Sequence, residues 1–175
     1  MTTVWTIGHS TRSAEQFIQI LTAHRIEALV DVRSFPGSRR YPHFNKSELA
    51  ELLRDAGIEY SHSPELGGRR KPKPDSKNTA WNNASFRAYA DHMESKEFEK
   101  GIAGLLKLSQ AKRTVVMCAE AVWWRCHRSL ISDYLKANEV EVIHIVDEKK
   151  TQPHPYTSAA RIVDGQLNYE GLLAG

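Results

Sequence analysis

Eleven consecutive residues, Cys118 to Arg128, carry two thiols, the carboxylate of Glu120, the imidazole of His127 and the guanidiniums of Arg125 and Arg128. Few other residue types do nucleophilic and proton-transfer chemistry near neutral pH. If Cys126 opens a helix, the free N–H groups of the first turn and the flanking Arg125, His127 and Arg128 would favour its thiolate and suit it to act as a nucleophile. The same turn, with Arg128, would bind an anion. A packing alternative stands beside this one. Leu130 and Tyr134 follow Cys126 at i+4 and i+8, and Cys118 shares a strand face with Val116, so either thiol can simply fill the core. Cys118, Glu120, Cys126 and His127 could also supply four metal ligands, but their spacing matches neither a zinc finger nor a zinc ribbon. No cofactor is expected, with zinc retained as the lesser alternative. A two-cysteine redox centre would need the fold to close an eight-residue separation, since no Cys-x-x-Cys is present.

A second constellation runs from Asp31 through Arg33, Ser34, Phe35, Pro36, Gly37 and Ser38 to Arg39 and Arg40. It places an acid and an arginine at the end of an apolar strand, then delivers Ser38 and Arg39 from a turn. Arginine offers a rigid donor fork to phosphate or carboxylate. Asp31 is read either as a catalytic acid or as an internal partner for an arginine. A third cluster, Leu66-Gly67-Gly68-Arg69-Arg70-Lys71-Pro72-Lys73-Pro74, continues to Trp81. Glycines, cations and an aromatic in one loop suit a surface that grips a phosphate backbone and stacks a base, with Arg69 among the anion ligands; a solvated charged linker is the alternative. His9, after the first apolar run, is a candidate general base or helix cap. The remaining histidines His43, His62, His92 and His154 read as surface or packing residues.

These clusters need elements to position them. Val4 to Gly8, Ala28 to Val32, Ile58 to Ser61, Thr114 to Met117 and Val140 to Val146 read as strands, with His144 inside the last. Between them lie helical periodicities. Ser13 with Gln16 has the form of a capping box ahead of Phe17, Ile20 and Leu21, and Asn45 with Glu48 opens a helix that Gly57 should stop. Phe86 to Met93 and Phe98 to Leu106 carry two further stripes, and Arg125 to Asn138 a last one. Strands alternating with helices predict an α/β fold, a single domain over 1–175 with a mainly parallel sheet covered by helices on both faces. In such sheets ligands bind beyond the carboxyl ends of the strands, so the clusters after Gly8, Asp31 and Cys118 should meet in one pocket. Residues 64–84 lose periodicity and read as a long basic loop, a lid or binding segment; residues 149–175 read as a C-terminal extension with a hairpin at Asp164-Gly165.

The chain has 175 residues, 41% hydrophobic and 26% charged, which excludes a disordered tail and leaves no room for a second catalytic domain. Its basic excess is local. Residues 33–77 hold ten Lys or Arg against six Asp or Glu, whereas the remainder holds fourteen against fifteen. Such a patch favours an anionic small molecule or nucleic acid as partner. No apolar run reaches the length of a membrane span, no export signal is visible and only two cysteines occur, so a cytoplasmic protein without membrane contact is expected. No Gly-x-Gly-x-x-Gly, Walker loop or His-Glu-x-x-His occurs, which argues against dinucleotide, P-loop and zincin chemistry.

Thr6-Ile7-Gly8-His9-Ser10, the run from Asp31 to Arg39, Phe44-Asn45, Leu66-Gly67-Gly68-Arg69, Cys118-Ala119-Glu120 and Cys126-His127-Arg128 together resemble the bacterial "domain of unknown function 488" family. The likeness spans roughly Trp5 to Val146. It implies a stand-alone cytoplasmic α/β domain whose strand-end clusters form a shared site, and it supplies no activity. From the residues, the leading expectation is an enzyme with catalytic Cys118, Glu120, Cys126, His127, His9 and Asp31, and anion-binding Arg33, Ser38, Arg39, Arg69 and Arg128, acting on a nucleotide or nucleic-acid ligand. The rivals are a non-catalytic nucleotide- or nucleic-acid-binding module with both cysteines in the core, and a thiol or metal sensor.

Overall fold

A computed structural model describes residues 2–171; residue 1 and residues 172–175, the two ends of the expected domain and the last part of the expected C-terminal extension, lie outside the described residues. The chain runs β1 (Thr3–Gly8), α1 (Ala14–Ala23), β2 (Ala28–Asp31), α2 (Lys46–Asp55), β3 (Glu59–His62), α3 (Ala84–His92), α4 (Lys96–Ala111), β4 (Thr114–Cys118), α5 (Arg128–Ala137), β5 (Glu141–Ile145), β6 (Thr151–Pro153), β7 (Arg161–Val163) and β8 (Gln166–Asn168). The fold is α/β, with a six-stranded sheet in the order β3-β2-β4-β1-β5-β6. The first five strands are parallel. β6, which the sequence pattern did not foresee, adds antiparallel to β5. The hairpin β7–β8 forms at the expected turn, where Asp164 and Gly165 both take positive φ (52° and 78°).

Strand alternation sorts the core into two layers. Trp5, Ile7, Leu29, Val115 and Met117 face α1 and α2, where Phe17, Ile20, Leu21, Leu49 and Leu53 cover them. Val4, Val30, Val116, Cys118 and Val142 face the other way, against Tyr89, Phe98, Ile102, Leu130 and Leu135 of α3, α4 and α5. Each fully buried Leu or Phe contributes about 1.5–3 kcal/mol, so both faces are held by apolar burial. The local signals act as their chemistry dictates. Ser13 and Gln16 exchange backbone-to-side-chain bonds of 3.1 and 3.0 Å at the start of α1, and Gly57, at φ 77°, ends the turn after α2. Asn45 does occupy the N-cap of α2, but its side-chain oxygen accepts from the Ser38 amide instead of from the helix. The cap residue thus fastens the loop after β2.

The expected helix from Arg125 requires correction. Trp123–Arg125 form a separate 3-10 turn, Cys126 is extended, and α5 begins at Arg128 with His127 as its N-cap. Residues 64–84 hold a 3-10 turn at Pro64–Leu66, and their two ends are fastened. Arg70 donates to the carbonyls of Pro64, Glu65 and Gly67 at 2.8–3.3 Å, and Asp91 accepts from Ser76 and Asn78 at 2.6 and 2.7 Å. Lys71 to Asp75 between them are exposed.

Candidate functional site

β4 lies between β1 and β2, so the carboxyl ends of these three strands are adjacent. Asp31 pairs with Met117 and Gly8 with Cys118 in the sheet register, which puts the Asp31 and Cys118 clusters on one edge. The lacing continues past the strands: His9 N–H donates to the Cys118 carbonyl and Ser10 N–H to that of Ala119, both at 2.9 Å. Gly8 is required by its neighbour. A Cβ there would lie 1.5 Å from the Glu120 carbonyl oxygen, so only glycine lets the 119–121 loop fold back over β1. Above this edge opens a cleft of about 800 Å³ lined by His9, Arg33, Ser34, Phe35, Ser38, Tyr41, Arg69, Cys118, Glu120, Arg125, Cys126 and His127.

On the β2 side, Asp31 is fully buried and spent on structure. One carboxylate oxygen accepts from the Arg33 amide (3.1 Å) and Nε (2.9 Å), the other from Arg33 Nη2 (2.8 Å) and the Tyr60 hydroxyl (2.6 Å). Burial, and then the bond to Asp31, raise the Tyr60 pKa above its ordinary value. The bidentate pair fixes the guanidinium of Arg33 as a planar fork, and its remaining Nη1 lies 3.5 Å from His9 Nε2. His9 Nδ1 is 2.9 Å from the Ser10 carbonyl, which assigns its proton to Nδ1 and leaves Nε2 a bare acceptor. The ring stacks on Phe44 at 4.2 Å. Burial lowers the His9 pKa to about 4, so the imidazole is neutral at neutral pH.

On the β4 side, Cys118 and Cys126 are both buried and free, and each influences the ionisation of the other. They differ in environment. Burial raises both. At Cys118 the neighbouring Cys126 and the charge of Arg128 outweigh burial and lower the pKa, whereas at Cys126 burial and the neighbouring Cys118 raise it. The two thiols are thus shifted in opposite directions, Cys118 down and Cys126 up, and the helix turn expected to hold Cys126 begins only at Arg128. The cause is burial: Cys126 precedes the helix, and the one amide it receives, from Arg128 at 3.4 Å, does not offset its desolvation. His127 Nε2 lies 2.9 Å from the Val32 carbonyl, so that nitrogen carries the proton, and Nδ1 faces Cys126 Sγ at 3.4 Å. Burial lowers its pKa to about 4.

Glycines close the roof. A Cβ on Gly67 would lie 2.6 Å from Ser34 Oγ and one on Gly68 2.5 Å from His127 Nδ1, so this segment packs directly against both strand-end loops. The Arg69 amide donates to Ser34 Oγ at 3.0 Å, and its guanidinium lies 5.3 Å from the ring centre of Phe35, which is 71% exposed.

The structure thus brings His9, Arg33, Ser38, Arg69, Cys118, Glu120, Cys126 and His127 into one cleft. It does not bring Arg39, which is exposed outside the lining, nor Asp31, which stands behind Arg33. Arg128 is 1% exposed and turned inward: Nη1 donates to Thr6 Oγ1 (3.3 Å) and Nη2 to the carbonyls of Glu120 (3.1 Å) and Ala121 (3.4 Å). It fastens the loop beneath the cleft and does not reach into it. Trp81 also departs from expectation: it is not itself in the lining but packs on Phe86, which is, and on Tyr169. Sequence reasoning passed over Phe35, Tyr41 and Arg125 as site residues. The signal for Phe35 was present, since an apolar ring between a serine and Pro-Gly in a polar turn has no core to enter. Among the described residues no group of three or more His, Cys, Asp or Glu is placed to hold a metal ion, and no helix is long and apolar enough to cross a membrane.

An open parallel sheet with a thiol pair and an arginine-rimmed cleft at its strand ends defines the structural class. Within it, the chain belongs to the family described as "Domain of unknown function DUF488", whose profile matches residues 13–135. Comparisons with curated proteins and with solved structures found no match.

Proposed function

We propose that the protein is an enzyme that takes an anionic ligand, a nucleotide or a segment of nucleic acid, into the strand-end cleft and uses Cys118 as its nucleophile. The observation that carries this reading is the gathering of two free cysteines, Cys118 and Cys126, with Arg33, Arg69 and Arg125 in the lining of one cleft, where the Cys118 pKa is lowered. Arg33, locked by Asp31, presents a preset donor to phosphate; Arg69 and Arg125 add charge at the rim. Cys126 donates to the bare Nδ1 of His127. The exposed carboxylate of Glu120 and the bare Nε2 of His9 are the groups available to move protons. Phe35, exposed on a cationic rim, supports the nucleotide version, because a base can stack on its ring.

One observation favours a second reading, a non-catalytic module: Cys118 and Cys126 are only 2% and 7% exposed and belong to the apolar core. Alkylation separates the two. On the native protein, iodoacetamide should label Cys118 before Cys126, as assigned by peptide mass spectrometry. A short single-stranded oligonucleotide should slow that labelling, and Arg69→Ala should remove the protection. If neither thiol reacts until the protein unfolds while the oligonucleotide still binds, the enzyme reading fails and the module stands.

A further inference from the structure

Arg128 poses a problem of charge. It is a buried cation, its Nε has no hydrogen-bond partner, and among the described residues no carboxylate pairs with it directly. An isolated buried charge is costly, so something must compensate it. From its Nη1 a continuous line of hydrogen bonds leads away from the cleft. Nη1 donates to Thr6 Oγ1 at 3.3 Å, and Thr6 Oγ1 meets His144 Nδ1 at 2.5 Å. His144 Nε2 lies 2.8 Å from His154 Nδ1, and His154 Nε2 lies 2.8 Å from Asp133 Oδ1. Asp133 is itself buried and accepts three more bonds, from the Thr157 amide and hydroxyl and from the Tyr169 hydroxyl at 2.7 Å.

When each imidazole carries a single proton, the donors and acceptors along this line run in one sense. A carboxylate must accept, so His154 carries its proton on Nε2; its bare Nδ1 then accepts from His144 Nε2–H, and the bare Nδ1 of His144 accepts from the Thr6 hydroxyl. Thr6 is left with lone pairs for Arg128. Every polar side-chain atom from Thr6 to Asp133 is then used, and Trp123, stacked on His144 at 4.8 Å and 4°, holds that ring in plane. Burial, followed by the nearby His154 and Arg128, lowers the His144 pKa to about 2, in keeping with a neutral ring.

At its other end Arg128 touches the thiol site. Its Nη2 donates to the Glu120 carbonyl, the same oxygen that lies 3.8 Å from Cys118 Sγ, and its amide donates to Cys126 Sγ at 3.4 Å. We infer that Asp133, His154, His144 and Thr6 form a positioning relay that orients the Arg128 guanidinium beside Cys118, joining the segment after β5 to the thiol site. This rests on the reading of Cys118 as the reactive thiol. The relay supplies Arg128 with a remote counter-charge through neutral dipoles, so the cation stays close to the sulfur without a carboxylate beside it to cancel its effect. The charged or titratable groups acting on Cys118 are then Cys126, Arg128 and Glu120.

The test follows Cys118 thiolate by absorbance at 240 nm against pH in the full-length protein, with the alkylation rate of the Cys118 peptide as a second signal. Thr6→Val keeps the branched shape of a buried strand residue and removes only the hydroxyl. It should raise the apparent Cys118 pKa by about one unit, a tenfold loss of thiolate at a fixed pH below it, and Thr6→Ser should restore the wild-type value. His144→Phe should shift it the same way. In ¹⁵N spectra of the wild type, His144 should be neutral and protonated at Nε2 from pH 5 to 9, a signature independent of thiol reactivity. A wild-type thiolate step that neither folded variant moves, or a His144 protonated at Nδ1, overturns the relay and leaves the thiol reading intact. Absence of any wild-type Cys118 step below the ordinary thiol range overturns both.

Discussion

Two buried carboxylates organise the polar interior, and they do it differently. Asp31 closes its network locally: Arg33, two residues on, supplies three of its four bonds, and the ion pair is direct. Asp133 draws its partners from 154, 157 and 169 and reaches its distant cation only through neutral groups. A closed pair locks one side chain and keeps its charge to itself. An open chain leaves the cation free to act on something else, here the thiols. Rigidity and electrostatic reach are thus divided between the two sides of β4.

The comparison breaks most plainly at Asp31. Asp31→Asn leaves Arg33 buried without its counter-charge and should destabilise the protein by about 3–5 kcal/mol in chemical denaturation; a loss below 1 kcal/mol would mean that water already compensates the guanidinium. Asp133→Asn breaks no direct pair with arginine or lysine and should cost less, about 1–3 kcal/mol, because hydrogen bonds are what it loses. Equal costs would erase the distinction drawn here.

Acid titration sharpens it further. His9 and His127, lowered to about 4 from an ordinary 6.5, bind fewer protons folded than unfolded between those values. Their contribution is complete above pH 6.5 and is lost as the pH falls toward 4, at a slope of about 1.4 kcal/mol per pH unit for each. His9→Gln should flatten the stability curve in that window by one such slope. An unchanged curve would show His9 to be hydrated. The smallest effect is expected at Arg39: Arg39→Ala should change stability by less than about 0.5 kcal/mol and leave oligonucleotide protection of Cys118 intact, in contrast to Arg69→Ala.

What could be read in the sequence follows the same division. The Asp31–Arg33 unit is contiguous, as are Gly8-His9 and Cys118-Ala119-Glu120, and parallel α/β topology alone sends them to one edge. The strand and helix pattern was legible because Phe17, Ile20 and Leu21, or Val30 and Val116, repeat at periods fixed by backbone geometry. Arg128 misled because sequence places it near the thiols without saying which way its side chain turns, and the short turn at Trp123–Arg125 delays the helix past Cys126. The relay was not legible at all. Thr6, His144 and His154 look like ordinary strand and surface residues until the sheet sets Thr6 opposite His144.

The placement of β1 bears on how the chain is made. β1 precedes the other described strands in the chain and is also an interior one, and its partners, β4 and β5, begin at Thr114 and Glu141. At about 5–20 residues per second, β1 waits roughly 6–22 s for β4 and longer for β5. Through that interval the backbone N–H and C=O groups along both its edges are unpaired, while β2 and β3 can already pair with each other. Sheet closure is therefore a late event of synthesis, and the thiol site, the arginine beneath it and the relay behind it are assembled together in that last step.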